Sequence, residues 1–200
     1  LGRANYNLMN KYLFTASFRR DGSSKFAPGN KWSNFASGAI AWRASEEQFI
    51  KDLNVFSNLK FRASYGQTGN QAIGAYATRD YLTVANYPIN GALSSGFANL
   101  TWRGPANPDL KWEKTSMLNI GLDYAFFDGR INGSIEYYDK NTKDLIWNYP
   151  VSSFVYPYST IVANVGEISN RGIEFSINAI PVRNQNFTWT TTLNLSHNKN

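Results

Sequence analysis

The 200 residues carry 20 Lys and Arg against 14 Asp and Glu, a net charge of +6, and 16% of them are aromatic. Cysteine is absent, which excludes a disulfide framework and a thiolate metal site. No stretch reaches the roughly 18 consecutive apolar residues of a transmembrane helix. The basic residues are scattered singly, with Arg19-Arg20 the one adjacent pair, so they form no patch of the kind nucleic-acid binding needs.

In chain order the sequence reads as strands. Residues 1–8 end one strand, and Met9-Asn10-Lys11 makes a short connection. Over 12–20, Tyr12, Phe14, Ala16 and Phe18 alternate with Leu13, Thr15, Ser17 and Arg19, because successive strand side chains point to opposite faces. The turn formers of 21–33, DGSSKFAPGNKWS, predict a loop. Residues 34–44 return as a third strand, with Gly38, Ile40 and Trp42 on one face. Ser45 followed by Glu46 and Glu47 predicts a capped short helix near 46–53. A fourth strand covers 59–66, and 67–113 is expected to be a long irregular region, rarely idle at such length.

The clearest unit is the hairpin at 117–140, MLNIGLDYAFFDGRINGSIEYYDK. Leu118, Ile120, Leu122 and Tyr124 mark one apolar face before Asp128-Gly129, and Ile131, Ile135 and Tyr137 continue it afterwards. Each arm alternates for about ten residues, the length a tilted strand needs to cross a bilayer. A further loop at 142–164, a strand at 166–181, a turn at 183–186 and a strand at 187–196 complete about eight long strands. Every second connection is brief, as expected of an antiparallel up-and-down transmembrane β-barrel with short periplasmic turns and long outer loops. Tyr12, Phe14, Trp42, Phe126, Phe127, Phe187 and Trp189 gather toward the short turns, like an interfacial girdle.

Four segments carry a family resemblance: KYLFTASFRRDGSSKFAPGNKW (11–32), LKFRASYGQTGNQAIGAY (59–76), NPDLKWEKTSMLNIGLDYAFFDGRINGSIEYYDKNTKDLI (107–146) and NVGEISNRGIEFSIN (164–178). Together they resemble the SusC/RagA-type TonB-linked outer-membrane transporters of Bacteroidetes-like bacteria. The resemblance implies a barrel of about 22 strands closed by an N-terminal plug. Residues 1–200 would then be part of one barrel domain of a longer chain, since no segment resembles the plug or the TonB-contacting region. It also implies active uptake of a large nutrient, glycan or peptide, in the cell outer membrane. The implied partners are a SusD-like surface lipoprotein, the TonB system acting through the plug, and outer-membrane lipid. A secreted all-β carbohydrate-binding module and a passive porin-like barrel are the competing readings; a barrel enzyme would need a catalytic constellation.

Each candidate site has a plainer reading beside it. Asp21 to Lys25, DGSSK, lacks the spacing and following helix of a phosphate cradle and reads as a turn. The glycines of 65–70, YGQTGN, read as a strand exit. Trp112-Glu113-Lys114 offers an aromatic face beside a carboxylate for a sugar, but reads first as a strand entry whose Trp anchors at the outer interface. Trp147, Tyr149, Tyr156 and Tyr158 lie in an outer loop and are the candidate substrate-facing aromatics. Glu136 and Glu174 are expected to pair with Arg19, Arg43, Lys60 or Arg62 on the lumen wall rather than to act as a glycosidase pair. His197 is the single histidine, so no catalytic residue, metal ligand or cofactor site is assigned. The Asn-x-Ser/Thr sequences at Asn99, Asn132, Asn186 and Asn194 carry no information in a bacterial protein.

Overall fold

The period-two alternation becomes a single eight-stranded wall. The computed structural model describes residues 1–79, 82–99, 105–152, 154–155 and 158–200. Its wall strands are β1 (Gly2–Leu8), β2 (Tyr12–Gly22), β3 (Trp32–Arg43) and β4 (Phe56–Asn70), with the small hairpin β5 (Leu82–Ile89) and β6 (Ala92–Asn99) following. The wall resumes with β7 (Glu113–Phe126) and β8 (Ile131–Lys143). A second small hairpin, β9 (Ile146–Pro150) and β10 (Thr160–Asn164), precedes β11 (Glu167–Arg183) and β12 (Thr188–Lys199). The eight-stranded sheet runs β1-β2-β3-β4-β7-β8-β11-β12, antiparallel throughout, with each small hairpin a separate two-stranded sheet. Apart from β1 the wall strands span 11 to 17 residues, against the five or six usual in soluble sheets.

Three sequence expectations are corrected here. Residues 67–113 are not irregular throughout: β4 continues to Asn70, and β5 and β6 pair around Asn90-Gly91, both at positive φ. The loop at 142–164 likewise contains β9 and β10. The short helix expected near 46–53 is present as α1 (Gln48–Lys51) after a 3-10 turn (Ala44–Glu46), but Ser45 does not cap it, because it sits inside the 3-10 turn. Glu47 takes the N-cap position, yet its carboxylate points elsewhere.

The short connections share one end of the sheet. Met9 and Asn10 turn at φ 52° and 57°, and Phe127, Asp128 and Gly129 turn at φ 53°, 55° and 81°, the left-handed backbone that tight hairpins require. Glu47 ties this end together. It accepts from Lys11 Nζ at 2.7 Å, from the Tyr12 hydroxyl at 2.7 Å and from Trp42 Nε1 at 3.3 Å. Aromatic pairs flank the same end, with Trp42 stacked on Phe61 at 5.6 Å and Phe56 tilted on Phe126 at 5.0 Å.

Among the described residues no second layer covers the outer face of this sheet. Phe14, Ile40, Ile120, Ile173 and Leu195 are exposed, and the register sets them in neighbouring rows of one face. From Leu118 to Phe126 the apolar face extends about 27 Å along the strand, or about 20 Å of height at the tilt of a membrane barrel. A continuous apolar belt of that height has lipid as its solvent, not water. No helix among the described residues is long and apolar enough to cross a membrane.

Candidate functional site

The buried core lies above the wall, where the outer loops meet. Phe26 from the β2–β3 loop, Phe35 from β3, and Ile73, Leu110 and Trp112 from the β4–β7 connection form one cluster, against which Ile146 of β9 and Val162 of β10 pack. Trp112 is the pivot. Its ring meets Phe26 at 5.4 Å and Phe35 edge-on at 5.8 Å, and its indole N–H donates to the Lys31 carbonyl at 3.2 Å. At 5% exposure Trp112 is neither a sugar-stacking surface nor a membrane-interface anchor, which corrects both sequence readings. Leu110 beside it is fully buried.

Side-chain amides fasten the loops to one another. Asn164 donates to the carbonyls of Lys111 at 2.9 Å and Asp144 at 2.8 Å, while its own oxygen accepts from Lys111 N–H at 2.9 Å. Asn107 donates to the Val162 carbonyl at 2.8 Å, and Thr78 to the Lys25 carbonyl at 3.1 Å. Buried backbone groups that would otherwise lose water are satisfied across three loops, so the platform behaves as one unit.

Alternation along β9 separates two roles. Ile146 turns inward to the cluster; Trp147 and Tyr149 are 66% and 50% exposed. Beside them a cleft of about 400 Å³ is lined by Ala72, Ile73, Gly74, Ile146, Trp147 and Val162. Tyr158 is half-buried in the connection between β9 and β10, and Tyr156 lies outside the described residues. The sequence alone identified these aromatics but not the cleft, whose other wall comes from residues more than seventy positions earlier.

Below the platform the inner face is polar. A hollow of about 750 Å³ has Thr15, Ser17, Ser64 and Asn119 in its wall with Arg3, Arg19 and Lys140 among them. Lower down, Arg62 Nε meets Asp123 Oδ1 at 3.3 Å and Arg62 Nη2 donates to Glu136 Oε1, with Lys60 Nζ 3.7 Å from Asp123. The expected pairing of Glu136 with Arg62 is therefore present. Glu174 differs: it stands opposite Glu136 in the register and forms no ion pair among the described residues, because Arg62 is already spent on two nearer carboxylates. Arg19 pairs with Asp21 at 2.7 Å, within its own strand. The DGSSK stretch is structural: Asp21 and Gly22 finish β2, and Lys25 N–H donates to Ser23 Oγ at 3.3 Å in a turn.

This geometry has known counterparts. Residues 2–199 match the family described as TonB dependent receptor-like, beta-barrel. Over the whole chain there is 44% identity to TonB-dependent receptor P3 of Formosa agariphila and 40% to TonB-dependent receptor SusC of Bacteroides thetaiotaomicron, the chain covering 20% of each. The RagAB peptide importer in its closed-closed state superposes with a TM-score of 0.84 at 29% identity, covering 98% of this chain and 21% of that one. The chain thus spans about a fifth of the length of these relatives. With its eight-stranded membrane wall, short turns at one end and knitted loops at the other, the chain belongs to the TonB-dependent receptor β-barrel family of bacterial outer-membrane proteins.

Proposed function

We propose that residues 1–200 form part of one barrel domain in a TonB-dependent active transporter of a large nutrient, an oligosaccharide or a peptide, and supply wall and outer loops. The observation that carries this reading is the loop platform: a buried aromatic core holds Trp147 and Tyr149 exposed beside a cleft at the outer end of a polar wall. Exposed aromatics on a rigid support suit a sugar face or an apolar peptide side chain, because little conformational entropy is lost on contact. Trp147, Tyr149, Tyr156 and Tyr158 are the proposed substrate-facing residues. The likeness to SusC and to the RagAB importer supports a surface lipoprotein of the SusD or RagB kind as the partner that closes over the ligand, and TonB as the source of energy.

Uptake by whole cells tests this. Trp147→Ala with Tyr149→Ala is expected to weaken capture of the nutrient about tenfold or more, with the level of folded protein in the outer membrane unchanged. Uptake at the parental level in cells carrying both substitutions would remove these residues from the ligand path.

A further inference from the structure

The outer face carries a hollow in its apolar belt. Ala4, Ala16 and Gly38 stand side by side in the register on β1, β2 and β3, with Ala63 on β4 one row away, opposite Ile40. They floor a trough of about 520 Å³ whose rim is built by Tyr6, Phe14, Ile40, Tyr65 and Leu118. Alternation points these side chains toward lipid, so the trough opens into the bilayer and not into the lumen.

Two cations stand above it. Arg20 lies four residues beyond Ala16 on the same face of β2, and Lys114 lies four residues before Leu118 on the same face of β7. Because β2 runs outward and β7 runs inward, both sit at the extracellular end, about 13 Å along the strands from the trough. Both are exposed, and neither pairs with a carboxylate among the described residues. The Arg20 guanidinium rests 5.1 Å from the ring centroid of Trp32, an exposed aromatic at the same height. An indole at the lipid–water boundary with an unpaired cation on it is an arrangement that receives a headgroup phosphate.

We propose that this face binds a phosphorylated glycolipid of the outer leaflet, an acyl chain filling the Ala16–Gly38 trough and a phosphate held between Arg20 and Lys114. An apolar floor answers the chain, and two exposed cations answer the anion by charge-assisted hydrogen bonds. A second copy of this chain fits less well. Two-fold packing within the membrane plane brings Arg20 and Lys114 of both copies to the same height, where like charges repel. The inference rests on the membrane location of the wall and is independent of the nutrient carried.

The test uses protein extracted from outer membranes in mild detergent, with retained lipid counted by native mass spectrometry. Phosphorylated lipid A and its dephosphorylated form serve as the added probes. A Cβ on Gly38 would meet nothing nearer than the Thr15 carbonyl at 3.9 Å, so Gly38→Leu has room to enter the trough. Gly38→Leu is expected to lower retention at least about fivefold. Arg20→Gln with Lys114→Gln is expected to abolish the preference for the phosphorylated probe while the apolar trough remains. Retention unchanged by Gly38→Leu, equal retention of the two probes by the parent protein, or a change in copy number without a change in bound lipid would each overturn the proposal. Arg20→Gln and Lys114→Gln alter exposed side chains only, so the probe comparison stands even where Gly38→Leu fails to fold.

Discussion

The guanidinium of Arg62 lies across Gly121, its directly opposite partner on the neighbouring strand: a Cβ on Gly121 would stand 2.8 Å from Arg62 Cζ. Only the missing side chain lets Arg62 on β4 pass over β7 to reach Glu136 on β8 as well as Asp123. Three wall strands are thereby joined by one residue at mid-height. Replacing Arg62 by Met leaves Glu136 without its cation and Asp123 with Lys60 alone, at 3.7 Å. Because all three side chains are about one-third exposed, solvent screens much of the effect, and the expected cost is on the order of 1–2 kcal/mol. The temperature at which the folded band disappears in detergent gels should fall for Arg62→Met, and a Glu136→Gln background should shrink that fall if the two act as one network.

Gly133 is a stricter case. A Cβ there would lie 2.0 Å from the Ser176 carbonyl oxygen, a backbone atom, and 2.7 Å from the Tyr124 hydroxyl, which donates to the same carbonyl at 3.2 Å. A flexible guanidinium can move away from residue 121, but the β11 backbone cannot move from residue 133. Gly133→Ala should therefore cost about 2–3 kcal/mol and Gly121→Ala less than about 1 kcal/mol. Equal losses of folded protein for the two substitutions would contradict this use of close approach.

The platform depends on Trp112. Trp112→Ala removes a buried ring that touches Phe26 and Phe35 and orphans the Lys31 carbonyl, at a cost of about 3–5 kcal/mol. None of that ring packs on the lipid-facing belt, so the loss should appear locally. Protease added outside intact cells should cut the loops near residues 23–31 and 105–112 in the variant and spare the parent, while both keep a folded wall.

At the opposite end, acid should loosen the inner turns. The ammonium of Lys11, then the Tyr12 hydroxyl, hold the Glu47 carboxyl down to about 2 from its ordinary 4.5. A folded-state value below the unfolded one gives stabilisation that is complete above about pH 4.5 and is lost as pH falls through about 2. The folded band should melt at lower temperature at pH 3 than at pH 6, and Glu47→Gln should flatten part of that dependence. A pH profile identical in Glu47→Gln and parent would show that the contacts of Glu47 contribute nothing.

Much of the wall was legible because period two is a strong signal when one face meets lipid. Tyr12 through Phe18, the arms around Asp128-Gly129 and the run from Trp189 to Leu195 all fold as their alternation dictates. Glu136 and Arg62 were also readable, as opposite charges at polar-face positions. The outer hairpins were missed for local reasons. Pro88 and Gly96 interrupt the pattern around Asn90-Gly91, although that dipeptide is itself a strong hairpin signal, and Gly66 and Gly69 hide the last turns of alternation in β4. Trp112 could not be placed from its neighbours Glu113 and Lys114, because its burial is created by Phe26 and Phe35, some eighty positions away.

The central claim is a membrane wall with an outer loop platform, and one measurement bears on it most directly. Cells are fractionated, and the outer-membrane protein is run on detergent gels with and without heating. Recovery in the outer-membrane fraction, with migration that shifts on heating, is the predicted result, as a closed barrel resists detergent until heat unfolds it. Recovery in the soluble fraction, with no shift on heating, would contradict the lipid-facing assignment of Phe14, Ile40 and Ile120 and with it the account of the wall.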